Sequence, residues 1–201
     1  MNKHRSQHSA GFRQISLVAC AAIFLGFSGC KAENMVHQRS ISELNQKAQA
    51  MMQAGDYDGA ISRLEAAHDL EPEEPNTTYN LAVAYQTKGE YQKAIVLFNT
   101  LLEKPGPDGS PMSAAELHKN MGITYEAQAD KLEAEANTLK SDPKGDKAKA
   151  AQVEQEATTT LKEALMHYQK ALPGLKDSEG IATQIKAIET KIENSGAGAQ
   201  P

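Results

Sequence analysis

Asn80-Leu81-Ala82-Val83-Ala84-Tyr85, followed by the turn Lys88-Gly89-Glu90 and then Tyr91-Gln92-Lys93-Ala94-Ile95-Val96-Leu97-Phe98, is the stretch that decides the fold. It has the pattern of two apolar-faced helices broken at a glycine. Thirty-four residues earlier the same pattern stands as Gly55, Tyr57, Ala60 and Ile61, with Leu64 for Phe98 and Ala48 for Ala82. A period of this length belongs to a helix–turn–helix unit that cannot bury its apolar face alone and stacks on copies of itself. A stack of that kind offers a binding surface more readily than a catalytic pocket.

The pattern extends in both directions. Upstream, a first helix is expected from Ser40, with Glu43 completing a capping box. Ala54-Gly55-Asp56 is its turn, and a second helix runs through Leu70 to the breaker Glu71-Pro72-Glu73-Glu74-Pro75-Asn76. The next helix opens at Asn76 or Thr77. Downstream of the rigid loop Lys104–Pro111, Asn120-Met121-Gly122-Ile123-Thr124-Tyr125 copies Asn80–Tyr85 at an offset of 40, so the loop holds six extra residues. Here the turn glycine is replaced by Ala129, and the matching second helix appears only at Ala164-Leu165, Tyr168 and Ala171-Leu172. About 30 residues, roughly 130–160, are inserted.

The insert is rich in Ala, Glu and Lys, with one breaker, Ser141–Asp146. It predicts two helices, Ser113–Lys140 and Asp146–Leu172, each about 40 Å long at the α-helical rise. A seam of Tyr125, Leu132 and Leu139 against Ala150, Val153, Ala157 and Leu161 makes an antiparallel coiled-coil arm. A disordered charged loop is the alternative, because the seam is rich in small residues and Thr158-Thr159-Thr160 restricts the helix. Pro173-Gly174 ends the arm. Ser178 caps a final helix that presents Ile181, Ile185, Ile188 and Ile192 on one face, and Asn194–Pro201 is a tail.

Small Ala82, aromatic Tyr85, Gly89, Tyr91, Ala94 and Phe98 stand at spacings that resemble the tetratricopeptide repeat. The first unit departs from that pattern at Leu44, Lys47 and Met51. The resemblance implies an all-α solenoid of about three repeats, at 40–74, 75–108 and 109–176, the third carrying the helical hairpin, with a capping helix at 177–193 and a tail at 194–201. It implies a protein-binding groove lined by the first helix of each repeat. By position these residues are Asn45, Gln49 and Met52, then Tyr79, Val83 and Gln86, then Lys119, Ile123 and Glu126. Gln49, Val83 and Ile123 stand where the family's carboxylate-clamp asparagine would be, so that clamp is not expected. The mixed lining suits a helix or an extended peptide.

The N-terminus carries a separate message. Lys3, Arg5 and Arg13 precede an apolar run, Ile15 to Phe27, with no acidic residue before Cys30. At about 13 residues the run is too short to span a ~30 Å hydrocarbon core and fits the core of a secretory signal. Phe27-Ser28-Gly29-Cys30 resembles the lipobox of bacterial lipoproteins. The resemblance implies cleavage of residues 1–29, lipidation of Cys30 and a tether at 30–39. Leu17-Val18-Ala19-Cys20 is a competing site, but it leaves only about six apolar residues after Arg13. Lys31 resembles the class sorted to the outer membrane, facing the periplasm, in cells with two membranes.

Composition narrows the function further. The first 29 residues hold three of the 21 basic side chains and none of the 26 acidic ones, which leaves the remainder at net −8. An acidic surface with no basic stripe speaks against nucleic acid. Both cysteines, Cys20 and Cys30, lie in the N-terminal segment, so no disulfide is expected in the body. No nucleophile elbow, phosphate loop or zinc-protease helix occurs, and no enzyme activity or cofactor is expected. His37, His68, His118 and His167 stand at no ligand spacing, so no metal site is expected. Asp56-Tyr57-Asp58-Gly59 is an inter-helix turn lacking the closing glutamate of a calcium loop. The expected role is a membrane-anchored scaffold for other envelope proteins or peptides. An enzyme or solute-binding protein with an unrecognised site is the alternative.

Overall fold

A computed structural model describes residues 39–108, 110–176 and 178–197. The chain divides into two units, residues 1–43 and 44–201. Cys20, Cys30, Lys31 and the expected signal and tether lie outside the described residues, apart from residue 39. Helix α1 occupies 39–53. Among the described residues the helix begins one residue before Ser40.

The larger unit is all helical among its described residues, with only an isolated bridge between Gly106 and Ser113. After α1 come α2 (Tyr57–Leu70), α3 (Pro75–Lys88), α4 (Tyr91–Glu103), α5 (Ala114–Ser141), α6 (Lys147–Ala171), a 3-10 turn (Leu172–Gly174) and α7 (Glu179–Ala197). No described helix is long and apolar enough to cross a membrane.

Local chemistry sets most of these boundaries. Gly55 and Gly89 adopt φ of 80° and 84°, the left-handed conformation that closes a helix at little cost only for glycine. Asp56, Ser113 and Asp146 cap α2, α5 and α6 by accepting from the backbone N–H three residues on. The start of α3 differs from expectation. Glu74, not Asn76 or Thr77, is the cap, with its carboxylate accepting from the Thr77 N–H, and Pro75 takes the first helical position. Asn76 donates to the Glu74 carboxylate at 2.8 Å. The far end of the chain also differs. Helix α7 continues to Ala197, through the first four residues of the expected tail, and the Ser195 hydroxyl donates back to the Lys191 carbonyl at 2.9 Å.

Two apolar clusters hold the unit together. The first joins α1 to α5 through Ala48, Leu64, Ala82, Ala94, Phe98 and Leu117, all fully buried. Ala82 and Ala94 are small where helices meet, and Phe98 fills the layer between repeats, with Tyr79 edge-on to it at 6.3 Å. The second cluster packs Ala129, Leu161, Ala164 and Tyr168 against Ile185 and Ile188 of α7. Ile181 and Ile192 flank it, so the isoleucine face of the last helix closes this end as the periodicity implied.

Helices α5 and α6 form the antiparallel hairpin expected of the insert; the expected α6 side of its seam, Ala150, Val153, Ala157 and Leu161, is buried, but the α5 side differs. Leu132 and Leu139 are only half-buried. The buried line on α5 is Gly122, Ala129 and Ala136, and on α6 it is Ala150, Ala157, Ala164 and Ala171. Both lines repeat every seven residues. Side chains this small let the two backbones approach closely, and contact then runs along the whole helix instead of through interlocked leucines. Val153 and Leu161 add apolar area beside the alanines. Lys140–Glu154 at 2.6 Å and Lys149–Glu135 at 3.3 Å bridge the outer hairpin; both are about half exposed and add little stability. Nearer its base, a Cβ on Gly122 would lie 2.7 Å from Cδ1 of Tyr168.

Gly89→Val and Gly122→Val should each lower stability by about 1–3 kcal/mol, the first through a left-handed β-branched residue and the second through collision with Tyr168. Gly180 has open space around its Cα, so Gly180→Ala should leave stability equal or raised by up to about 1 kcal/mol. Thermal unfolding followed by circular dichroism distinguishes the three.

Candidate protein-binding face

The first helices α1, α3 and α5 stand side by side, joined by a ladder of polar contacts. Asn45 donates to the Thr77 hydroxyl at 2.7 Å and accepts from the Asn80 amide at 3.0 Å. One repeat further on, Gln86 donates to the Asn120 carbonyl at 3.0 Å and to the Thr124 hydroxyl at 2.8 Å, and Asn120 donates to the Tyr79 hydroxyl at 3.4 Å. Amide side chains at matching positions thus set the spacing of neighbouring repeats.

The nine expected groove residues divide by what they touch. Asn45 and Gln86 are engaged in the ladder. Met52, Tyr79 and Val83 rest against the first apolar cluster and keep part of their surface outside. Lys119 pairs with Glu116 one turn before it. Glu126 turns away from this face: its carboxylate accepts from the Tyr168 hydroxyl at 2.8 Å and from the Gln184 amide, joining α5 to α6 and α7. Burial and the Glu126 carboxylate push the Tyr168 phenol well above its ordinary range. Gln49 and Ile123 are exposed, and Ile123, at 41% exposure, is one of the few large apolar side chains so open to solvent.

Two further features have no counterpart in the sequence periodicity. On the far side of α3, an apolar cleft of about 360 Å³ lies between α2, α3 and α4, lined by His68, Leu81, Tyr85, Val96 and Leu97 among others. Tyr85 donates its hydroxyl to Glu65 there, and Lys93 lies over its ring at 4.7 Å. Burial and Glu65 raise the Tyr85 phenol above its usual range. The second feature is a histidine pair. His118 and His167, 49 positions apart in the chain, meet with Nδ1 atoms 3.0 Å apart. Spacing along one helix could not reveal them, because the pairing depends on how α5 and α6 register. Among the described residues no group of three or more His, Cys, Asp or Glu side chains is placed to hold a metal ion.

Residues 51–117 match the tetratricopeptide repeat family model. That segment runs from the end of α1 to the first turn of α5, and it contains both glycine turns, Gly55 and Gly89, and the whole α3–α4 hairpin. The fold is an all-α stack of tetratricopeptide-type helical hairpins, the architecture of a protein-interaction scaffold. Similar solved structures include a thermophilic tetratricopeptide protein of Thermus thermophilus, at 18% identity and a TM-score of 0.39, covering 75% of this chain and 99% of that one. Another is a protein of Bacteroides ovatus, at 17% identity and a TM-score of 0.29, covering 76% and 98%. Scores this low add nothing to the assignment, which rests on the hairpin geometry and the matched segment. No curated protein matches the chain significantly.

Glu126→Ala should cost about 1–3 kcal/mol, because it leaves the buried Tyr168 hydroxyl and the Gln184 amide without an acceptor. Lys119→Ala removes only a surface ion pair and should stay within about 0.5 kcal/mol of the parent. Urea unfolding of the two variants checks the difference.

Proposed function

We propose that the chain is a membrane-anchored scaffold that brings together other proteins of a bacterial envelope. The observation that carries the binding role is the row formed by α1, α3 and α5, with Ile123 exposed on α5 and Tyr79 and Val83 of α3 keeping part of their surface outside. A face that is apolar at its centre and polar at its edges favours a helix or extended segment with an apolar anchor residue over a charged polymer. The acidic balance of the chain supports the same preference. The anchoring role rests on the N-terminal pattern, a basic start, an apolar run and Ser28-Gly29-Cys30, with lipid on Cys30 and Lys31 directing the protein to the periplasmic face of an outer membrane. The hairpin α5–α6 serves as a spacer or a second contact point beyond the repeat stack. Catalysis has no part in this reading.

Two experiments test the proposal in intact cells. Cys30→Ser should abolish fatty-acid labelling while Cys20→Ser leaves it unchanged; normal labelling of the Cys30 variant contradicts the anchor. A photo-crosslinking residue at position 123 or 49 should give discrete adducts with envelope proteins, and one at Val96 on the far side should not. Adducts at Val96 alone would move the binding face to the cleft between α2, α3 and α4.

A further inference from the structure

His167 is 6% exposed at the α5–α6 junction, and His118 opposite it is half-buried. Their rings lie 5.1 Å apart with a tilt of 44° and their Nδ1 atoms are 3.0 Å apart. The Tyr125 ring also stacks on His167, at 5.4 Å and 19°. At this distance one Nδ1 must carry a hydrogen and the other must be bare. The neutral pair is therefore made of opposite tautomers, one ring protonated on Nδ1 and the other on Nε2. A first added proton goes to the bare Nε2 of the donor ring, and the N–H···N bond survives. A second proton has only the acceptor Nδ1 to occupy. It sets two N–H groups head-on and two positive rings in contact, which the closed junction cannot hold.

We propose that His118 and His167 form a two-proton latch between α5 and α6, closed while the pair carries at most one added proton and opened when both rings are charged. The surroundings favour the closed state. Burial, then the charge of His118 and of Lys170, holds His167 down at about 4, and burial with Lys170 lowers His118. Lys170 lies on α6 just beyond His167, and Glu163 one turn before it acts on Tyr125. On α5, Glu116 and Lys119 pair with each other. The 3-10 turn that packs against both helices, Leu172–Gly174, has no ionisable side chain. The sign follows from linkage. A histidine depressed from 6.5 to about 4 binds fewer protons folded than unfolded between those values, so stability falls as the pH drops through that window and loses nothing more from this group below it.

Ring ¹⁵N NMR of the full-length chain from pH 8 to pH 4 tests the latch. The expected result is one ring of each tautomer at pH 8 and two separate protonation steps. The second step should lie well below pH 6 and coincide with loss of amide protection over residues 164–171. His118→Asn, whose amide can turn either its N–H or its oxygen toward His167, should fold and lose that pH-dependent loosening. His167→Phe, which keeps the stack on Tyr125, should lose it as well. Identical tautomers at pH 8, or two rings titrating together near 6.5 with no change in protection, would overturn the proposal. Unchanged acid loosening in His118→Asn would overturn it too, whether or not His167→Phe folds.

Discussion

Close approach of α5 and α6 through small side chains is the constraint on which the second half of the structure depends. Gly122, Ala129 and Ala136 on one helix and Ala150, Ala157, Ala164 and Ala171 on the other are buried at the contact. That closeness brings the hydroxyl of Tyr168 to Glu126 and the ring of His167 to His118. It also creates the platform on which α7 lays its isoleucines. An alanine seam buries little apolar area per residue, so its strength lies in length and in dispersion between backbones held at short range.

The two halves of the unit solve the same packing problem by different means. In the first half, helices of 13 to 15 residues pair at the Gly55 and Gly89 turns, and large side chains such as Leu64 and Phe98 fill the layer between them. In the second, no glycine stands where Ala129 does, and the helix runs on to Ser141. Its partner must then be equally long, and the 25 residues of α6 return alongside it. Loss of the turn glycine together with about 30 inserted residues thus converts a repeat into a long hairpin, in which both extended helices carry a line of small residues. The amide ladder of Asn45, Gln86 and Asn120 continues across the change, so the row of first helices keeps its spacing where the second helices diverge.

Much of this architecture was legible in the sequence because its causes are local. A left-handed glycine, a side-chain cap and a proline breaker act within a few residues, and the predicted ends of α5 and α6 lie within one residue of those observed. Pro75 with Glu74 was harder to place, since several capping residues stand together from Glu71 to Thr78. The α5 side of the alanine seam was hidden for a different reason, whereas Ala150 and Ala157 on α6 were expected in it. Alanine is the common residue of any strong helix, so its seven-residue period looks like composition, while the half-buried Leu132 and Leu139 stand out. Glu126 and the histidine pair depend on the register between two helices, which no spacing along the chain encodes. Of the expected binding residues, Ile123 and Gln49 are exposed, whereas Asn45 and Gln86 hold neighbouring helices together.

Thermal unfolding of Ala164→Leu tests the seam most directly. Ala164 is fully buried in the contact and packs in the cluster that holds Ala129, Leu161 and Tyr168. If the helices are held close because the residue is small, leucine forces them apart, and the unfolding midpoint falls by the several degrees that overpacking of about 1–3 kcal/mol implies. A midpoint that rises would contradict the account, because it would mean that the hairpin is an under-filled leucine coiled coil with space at this position.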